Sequence, residues 1–93
     1  MEIIKVLAQF LSKSINISPV ASRGLLKLAI KDELGPFIPF TNLLYNDLKN
    51  VINNSLSERL AKLQIQDQKI RAIKKELNGV LSQNQSLIVM ERT

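Results

Sequence analysis

Apolar residues recur at steps of three and four through most of the chain, the spacing that places them on one face of an α-helix. The first such segment predicts a helix from Glu2 to about Ser14. A second helix begins at Ser18-Pro19, because the serine hydroxyl can cap a helix and proline has no N–H to leave unpaired there. Gly35 in a left-handed cap, followed by Pro36, is expected to end it.

Two prolines and three large apolar residues follow in Gly35-Pro36-Phe37-Ile38-Pro39-Phe40. This composition predicts an ordered, extended connector whose apolar side chains pack into the core. Thr41 is a candidate cap for a third helix that runs to about Asn53. The sequence Ser55-Leu56-Ser57-Glu58 has the form of a capping box, so either a fourth helix begins there or helix three runs through.

From Leu56 a seven-residue repeat extends over about five heptads, and seven of its ten a and d positions are apolar. Further apolar residues at e widen the stripe, which favours a bundle over a two-stranded zipper. One helix from Leu56 to Met90 would span ~52 Å, so either another chain covers its stripe or it breaks at Asn78-Gly79 and folds back. We expect continuity, because Gly79 costs a helix only about 1 kcal/mol. The predicted interface with a partner comprises Leu56, Leu60, Leu63, Ile70, Ile73, Leu77, Val80, Leu81 and Leu87.

The sequence therefore predicts an all-α protein with a three-helix head at residues 1–55 and a long amphipathic helix at residues 56–93. Together they would form one structural domain within an oligomeric helical bundle or coiled coil. A content of 45% apolar and 23% charged residues is ordinary for a folded chain. A chain of only 93 residues buries a modest share of its surface alone, so self-association is plausible.

Composition argues against an enzyme. The chain has no cysteine and no histidine, which excludes disulfides, thiolate metal sites and the commonest general base. Its three glycines are too far apart to form a phosphate-binding loop. Asp32 and Glu33 are adjacent and point in different directions, which is typical of a solvated helix end rather than an acid/base pair. We expect no catalytic residue, no cofactor and no bound metal.

The net charge of +5 admits an anionic partner. Arg23, Lys27 and Lys31 follow at steps of four along one side of the second helix and could contact phosphates. A helix-turn-helix would present Ser22 together with Arg23 and Lys27 to DNA. Against that interpretation, the second helix is apolar around most of its circumference, as buried helices are, and one Tyr, three Phe and no Trp offer little base stacking. Nucleic-acid binding is the less favoured alternative.

The N-terminal residues lack the basic region of a secretory signal, and no apolar run approaches the ~20 residues that span a bilayer. We therefore predict a cytoplasmic protein without a transmembrane segment. Membrane-surface binding by the first helix is a weaker hypothesis, since that helix has only Lys5 and Lys13 as cations. The favoured function is a non-enzymatic oligomerisation or protein-interaction module. Its partner is a second copy or another helical protein, and it can be the N-terminal regulatory or scaffolding part of a longer chain.

Overall fold

A computed structural model describes the backbone of residues 2–92 and the side chains of residues 2–88. The protein is all-α, as predicted. Residues 1 and 93, at the outer ends of the predicted head and long helix, lie outside the described residues. None of the helices in the described part is long and apolar enough to cross a membrane.

The first two helices form an antiparallel hairpin, α1 (Glu2–Ile15) and α2 (Pro19–Leu34). The α1 helix ends at Asn16, whose positive φ of 56° allows the Ile17 N–H to donate to the Ser12 carbonyl at 3.2 Å. The start of α2 is confirmed, because the Ser18 hydroxyl accepts from the Ala21 N–H at 3.1 Å. Gly35 does end α2, but with φ 98° and ψ 158° its backbone is extended rather than left-handed helical.

A third helical rod occupies residues 45–62, so helix three runs through the candidate capping box. It consists of α3 (Tyr45–Asn50), a π-helical segment (Val51–Leu56) and α4 (Ser57–Lys62). It begins later than Thr41 predicted: Phe40–Asn42 is a separate 3-10 turn, and Asp47 accepts from the Leu44 N–H at 2.9 Å. Directly after the π-helical segment, the Ser57 hydroxyl donates to the Ile52 carbonyl five residues earlier.

The predicted continuous helix from Leu56 to Met90 is wrong. The chain leaves α4 at residues 63–66, continues as α5 (Asp67–Gln83), and bends again at Asn84 before α6 (Gln85–Arg92). Gln64 adopts φ 64°, which lets the Gln64 and Ile65 N–H groups donate to the Ala61 and Leu60 carbonyls. The breakpoint considered from the sequence, Asn78-Gly79, lies inside α5. The whole protein is 38 Å long, which is shorter than the ~52 Å of the unbroken helix.

Because α5 folds back, the chain buries most of the predicted partner interface in its own core. Eight of those nine residues are inward-facing, and Leu63, at 56% exposure, is the exception. The radius of gyration is 12.2 Å, against ~12 Å for a compact domain of this length. The accessible surface of 5667 Å² is also close to the ~5400 Å² expected of a monomer of this mass. The fold therefore covers its apolar stripe without a second chain. The inward-facing residues are Leu56, Leu60, Ile70, Ile73, Leu77, Val80, Leu81 and Leu87.

The connector between α2 and α3 is only partly as predicted. Ile38 and Phe40 are half-buried and pack against the core, and Leu43 is fully buried. Phe37 is 93% exposed, which contradicts the expectation that it packs inward. The prolines on either side restrict the backbone, so the connector cannot turn every apolar side chain toward the core.

Candidate functional site: a basic groove between the first two helices

A groove runs between α1 and α2 on the surface of the protein. Its lining combines apolar and cationic residues, namely Ile4, Lys5, Val20, Arg23, Gly24 and Lys27. Arg23 and Lys27 lie one turn apart on α2, while Lys5 reaches the same groove from α1. Past Lys5 and Arg23 the groove continues toward Glu2 and Gln9. The fold thus collects three cations from two helices along one edge of the hairpin.

Small residues bring the two helices close together at this edge. The buried Ser22 hydroxyl donates to the Ala8 carbonyl at 2.6 Å, so a polar group joins α1 to α2 inside the interface. Ser22 is therefore not available to read DNA. The helix-turn-helix interpretation that presented Ser22, Arg23 and Lys27 together is wrong, because Ser22 faces α1 whereas the two cations line the groove.

The carboxylates at the end of α2 are engaged elsewhere. The Arg59 guanidinium donates to both Asp32 oxygens, at 2.5 and 3.1 Å, and the Ser55 hydroxyl donates to Glu33 at 2.8 Å. These contacts tie α2 to the third rod, which corrects the expectation of a merely solvated helix end. The hydrogen bond from Arg59 lowers the pKa of Asp32, and the same bond raises the pKa of Arg59.

By contrast, no ion pair joins Lys5, Arg23 or Lys27 to a carboxylate among the side chains that the structure describes. Arg23 is half-buried, and both lysines are exposed. Lys31, predicted with Arg23 and Lys27, is exposed near the end of α2 and does not line the groove. The groove therefore carries three cations without an ion pair to a described carboxylate, and Glu2 is the acidic residue at its far end.

The sequence did not single out Lys5 for this site, because it is one of only two lysines on α1. Two small residues offered a signal: Ala8 on α1 and Ser22 on an otherwise apolar helix mark where the helices approach. Lys5 lies one turn before Ala8, and Arg23 follows Ser22 directly. Only the packing of α1 on α2 brings the two cations to one groove.

The groove offers hydrogen-bond donors and positive charge. The Arg23 guanidinium can hold a carboxylate or phosphate through two parallel hydrogen bonds, while the two lysines act as point charges. Among the residues described, no cluster of three or more acidic, His or Cys side chains is placed to hold a metal ion. The arrangement suits reversible binding of anions.

A second groove, between the third rod and α5, has a different character. Its lining carries charges of both signs, Glu58 and Asp67 with Arg71 and Lys74. At its edge, the Asn78 amide of α5 donates to the Asn53 oxygen at 2.8 Å. Because neighbouring charges of opposite sign offset each other, this groove attracts anions less than the basic groove does.

No protein-family model matches this chain, and no curated protein or solved structure matches it either. Similarity to known proteins therefore adds nothing to the functional argument, and the geometry of the basic groove carries it.

Proposed function

We propose that this protein is a non-enzymatic interaction module that binds an anionic partner through the basic groove between α1 and α2. The observation that carries the proposal is the convergence of Lys5, Arg23 and Lys27, none of them ion-paired to a described carboxylate. The two carboxylates of α2, Asp32 and Glu33, do not line the groove and are held by Arg59 and Ser55.

Binding rather than catalysis fits the residues available. The groove has cations and apolar side chains, and a chain without histidine or cysteine lacks the usual nucleophile and base partners. Function in the cytoplasm remains part of the same proposal.

Homo-oligomerisation stays a prediction. We do not, however, place a contact between two copies at the apolar residues that the sequence assigned to it. A residue that is almost fully buried in its own chain has little surface to offer a second chain, and this applies to Leu60, Leu77 and Leu81. Leu63 alone of that set is largely exposed. One exposed leucine is far less than the ~800 Å² that each partner contributes to a standard interface.

Two polyanions of different backbone would test the proposal, namely fluorescently labelled poly-L-glutamate and a short DNA duplex. Fluorescence anisotropy would be recorded at low and physiological salt, because screening weakens contacts between exposed charges. The variant carries Arg23→Glu with Lys27→Glu. Its control carries Lys69→Glu with Lys75→Glu on the exposed surface of α5, so both proteins have the same net charge.

We expect the groove variant to lose about tenfold or more in affinity for at least one polyanion, since each reversed contact contributes on the order of 1 kcal/mol. The control should stay close to the unmodified protein. Equal losses in both variants would mean that net charge, not the groove, attracts the polyanion. No binding by the unmodified protein at low salt would refute the proposal, and a preference for DNA would favour the nucleic-acid alternative.

A further inference from the structure

The outer face of α2 carries apolar residues that the core does not use. Val20, Gly24 and Leu28 follow at steps of four and therefore lie along one side of the helix. Val20 is 69% exposed and Leu28 is 46% exposed. The apolar pattern around most of α2 suggested a buried helix, but this side, which we call the outer stripe, is exposed.

The inner face of α2 is already fully packed. Its buried residues are Ser22, Leu26, Ala29 and Ile30, which contact α1 and the π-helical segment. The outer stripe lies on the opposite side of α2. The core contacts of the inner face therefore leave the outer stripe available to another molecule. Exposed large apolar residues in a row on one helix are a feature of surfaces that bind other proteins.

Gly24 gives the outer stripe its shape. A Cβ atom built on Gly24 would meet no other atom within 4 Å, so the backbone there is open to the outside. The larger Val20 and Leu28 side chains stand one turn away on either side, leaving a low point between them. An apolar side chain from another helix can sit against this low point, as in close helix–helix contacts at glycine.

The basic groove adjoins this stripe directly, because Val20 and Gly24 belong to both. Arg23 and Lys27 therefore flank the apolar row on one side, and Lys31 extends the cationic row by a further turn. A ligand covering both features would need an apolar ridge bordered by carboxylates.

That combination decides between the candidate occupants. A second copy would bring the same cationic row and a net charge of +5 against this face, so like charges would oppose it. A phosphate backbone would satisfy the cations but leave Val20 and Leu28 exposed, and no aromatic residue lines the groove for base stacking. A helix with apolar residues at i, i+4 and i+7 beside Asp or Glu satisfies both features.

We infer that α2 binds an acidic amphipathic helix of a partner protein, with apolar side chains of that helix seated on Val20, Gly24 and Leu28. This inference rests on the proposed function, and it names the partner of the same groove. From Val20 to Leu28 the stripe is ~12 Å long, so three turns of a partner helix cover it. The small contact implies a transient complex, with a dissociation constant on the order of micromolar or weaker.

The test uses two labelled synthetic peptides of ~14 residues. One is helical, with leucines at i, i+4 and i+7 flanked by glutamates, and the other has the same composition with the leucines scattered around the helix. Titrations with the unmodified protein would be compared with a variant that carries Gly24→Leu. A Cβ atom at position 24 meets no other atom within 4 Å, and leucine favours a helix more than glycine does, so we expect this variant to fold with the space above Gly24 filled.

The matched control is Gly79→Leu, which makes the same replacement at an exposed glycine of α5 with equally open space. We expect the unmodified protein to bind the patterned peptide at least ~5-fold more tightly than the scattered one, a modest preference for so small a contact. Gly24→Leu should remove that preference, and Gly79→Leu should retain it.

The outcomes separate the inference from the proposed function. Equal affinity for both peptides, with loss of binding in the Arg23→Glu, Lys27→Glu protein, would overturn the acidic-helix inference and leave anion binding in place. Binding that survives the two charge reversals would overturn both proposals. A preference for the patterned peptide that Gly24→Leu does not change would place the helix elsewhere and overturn the inference.

Discussion

The N-terminal hairpin of α1 and α2 differs in the relation between apolar pattern and burial from the C-terminal hairpin, in which α5 packs against the third rod at residues 45–62. In the C-terminal hairpin, the apolar stripe of α5 packs on the chain's own core, so that Ile73 and Leu77 are almost completely buried. In the N-terminal hairpin, α1 buries its apolar face in the same way, but α2 leaves Val20 and Leu28 exposed. A periodic stripe identifies a face that will be buried, but it does not say whether the same chain or a partner covers it.

The difference follows from where the chain turns. Breaks at residues 63–66 and at Asn84 let one apolar stripe be divided among three helices that all reach the core. The α2 helix is unbroken, and its buried residues lie on one side, so apolar residues elsewhere on its circumference stay on the surface. Turn positions therefore decide which apolar residues remain available for binding.

The largest predicted effect contrasts two leucines of the interface that the heptad repeat predicted, Leu77 and Leu63. Leu77→Ala should cost about 2–5 kcal/mol of stability, because Leu77 is 1% exposed in a packed core. Leu63→Ala should cost no more than about 0.5 kcal/mol, because Leu63 is 56% exposed. Urea denaturation followed by circular dichroism would measure both.

Light scattering behind size-exclusion chromatography on the same two variants adds the assembly state. If the heptad stripe instead joined two chains, Leu63→Ala would lower both the stability and the molar mass. The folded-back α5 requires that the unmodified protein is monomeric. It also requires that Leu77→Ala lowers the free energy of unfolding much more than Leu63→Ala does.

A second contrast uses two glycines. Gly79→Ala should stabilise the protein by about 1 kcal/mol, because Gly79 lies inside α5 with open space around its Cα atom. Gly35→Ala should destabilise it, because the backbone φ of 98° strains any residue with a side chain. The structure would be contradicted if the urea midpoints of both variants shifted in the same direction. If a helix ended at Asn78-Gly79, Gly79→Ala would not stabilise the protein.

A third contrast tests the turn that breaks the predicted long helix. Gln64→Gly should stabilise by about 0.5–1 kcal/mol, because glycine adopts the positive φ of 64° without the steric penalty of a side chain. The same change at Gln9, an exposed position in the middle of α1, should cost about 1 kcal/mol. In one continuous helix both substitutions would destabilise, so opposite signs in thermal or urea unfolding identify the turn.

The sequence was sufficient for the two ends of α2, which a proline and a glycine mark. The start of α2 at Ser18-Pro19 and its end at Gly35 were predicted to the residue. The turn at Gln64 was missed because a glutamine occupies the position that glycine usually takes. The packing of Ile65 on the core offsets the steric cost of the positive φ at Gln64. In the candidate site, helical spacing was enough to predict Arg23 and Lys27. Lys5 could be assigned to the site only from the tertiary contact of α1 with α2.

The smallest predicted effect concerns the ion pair that joins the two regions, Asp32 on α2 with Arg59 on α4. Because Arg59 lowers the pKa of Asp32, the folded state favours the charged carboxylate. The resulting stabilisation is present at neutral pH and is lost as the pH falls below the ordinary aspartate value of 3.8 and through the lowered pKa. Asp32→Asn should therefore flatten the decline of stability with acid, as read from urea midpoints at several pH values.

Arg59→Gln provides the matched test, since it removes the same hydrogen bonds from the other side. The two single variants and the double variant form a cycle, and the double variant should lose little more than either single change. If the acid dependence persisted in Asp32→Asn, other carboxylates would have to account for it. If both single changes flattened the acid dependence of stability to the same extent, the Asp32–Arg59 ion pair would be its source. That ion pair would then be the ionic link between the N-terminal hairpin, which exposes apolar residues, and the C-terminal hairpin, which buries them.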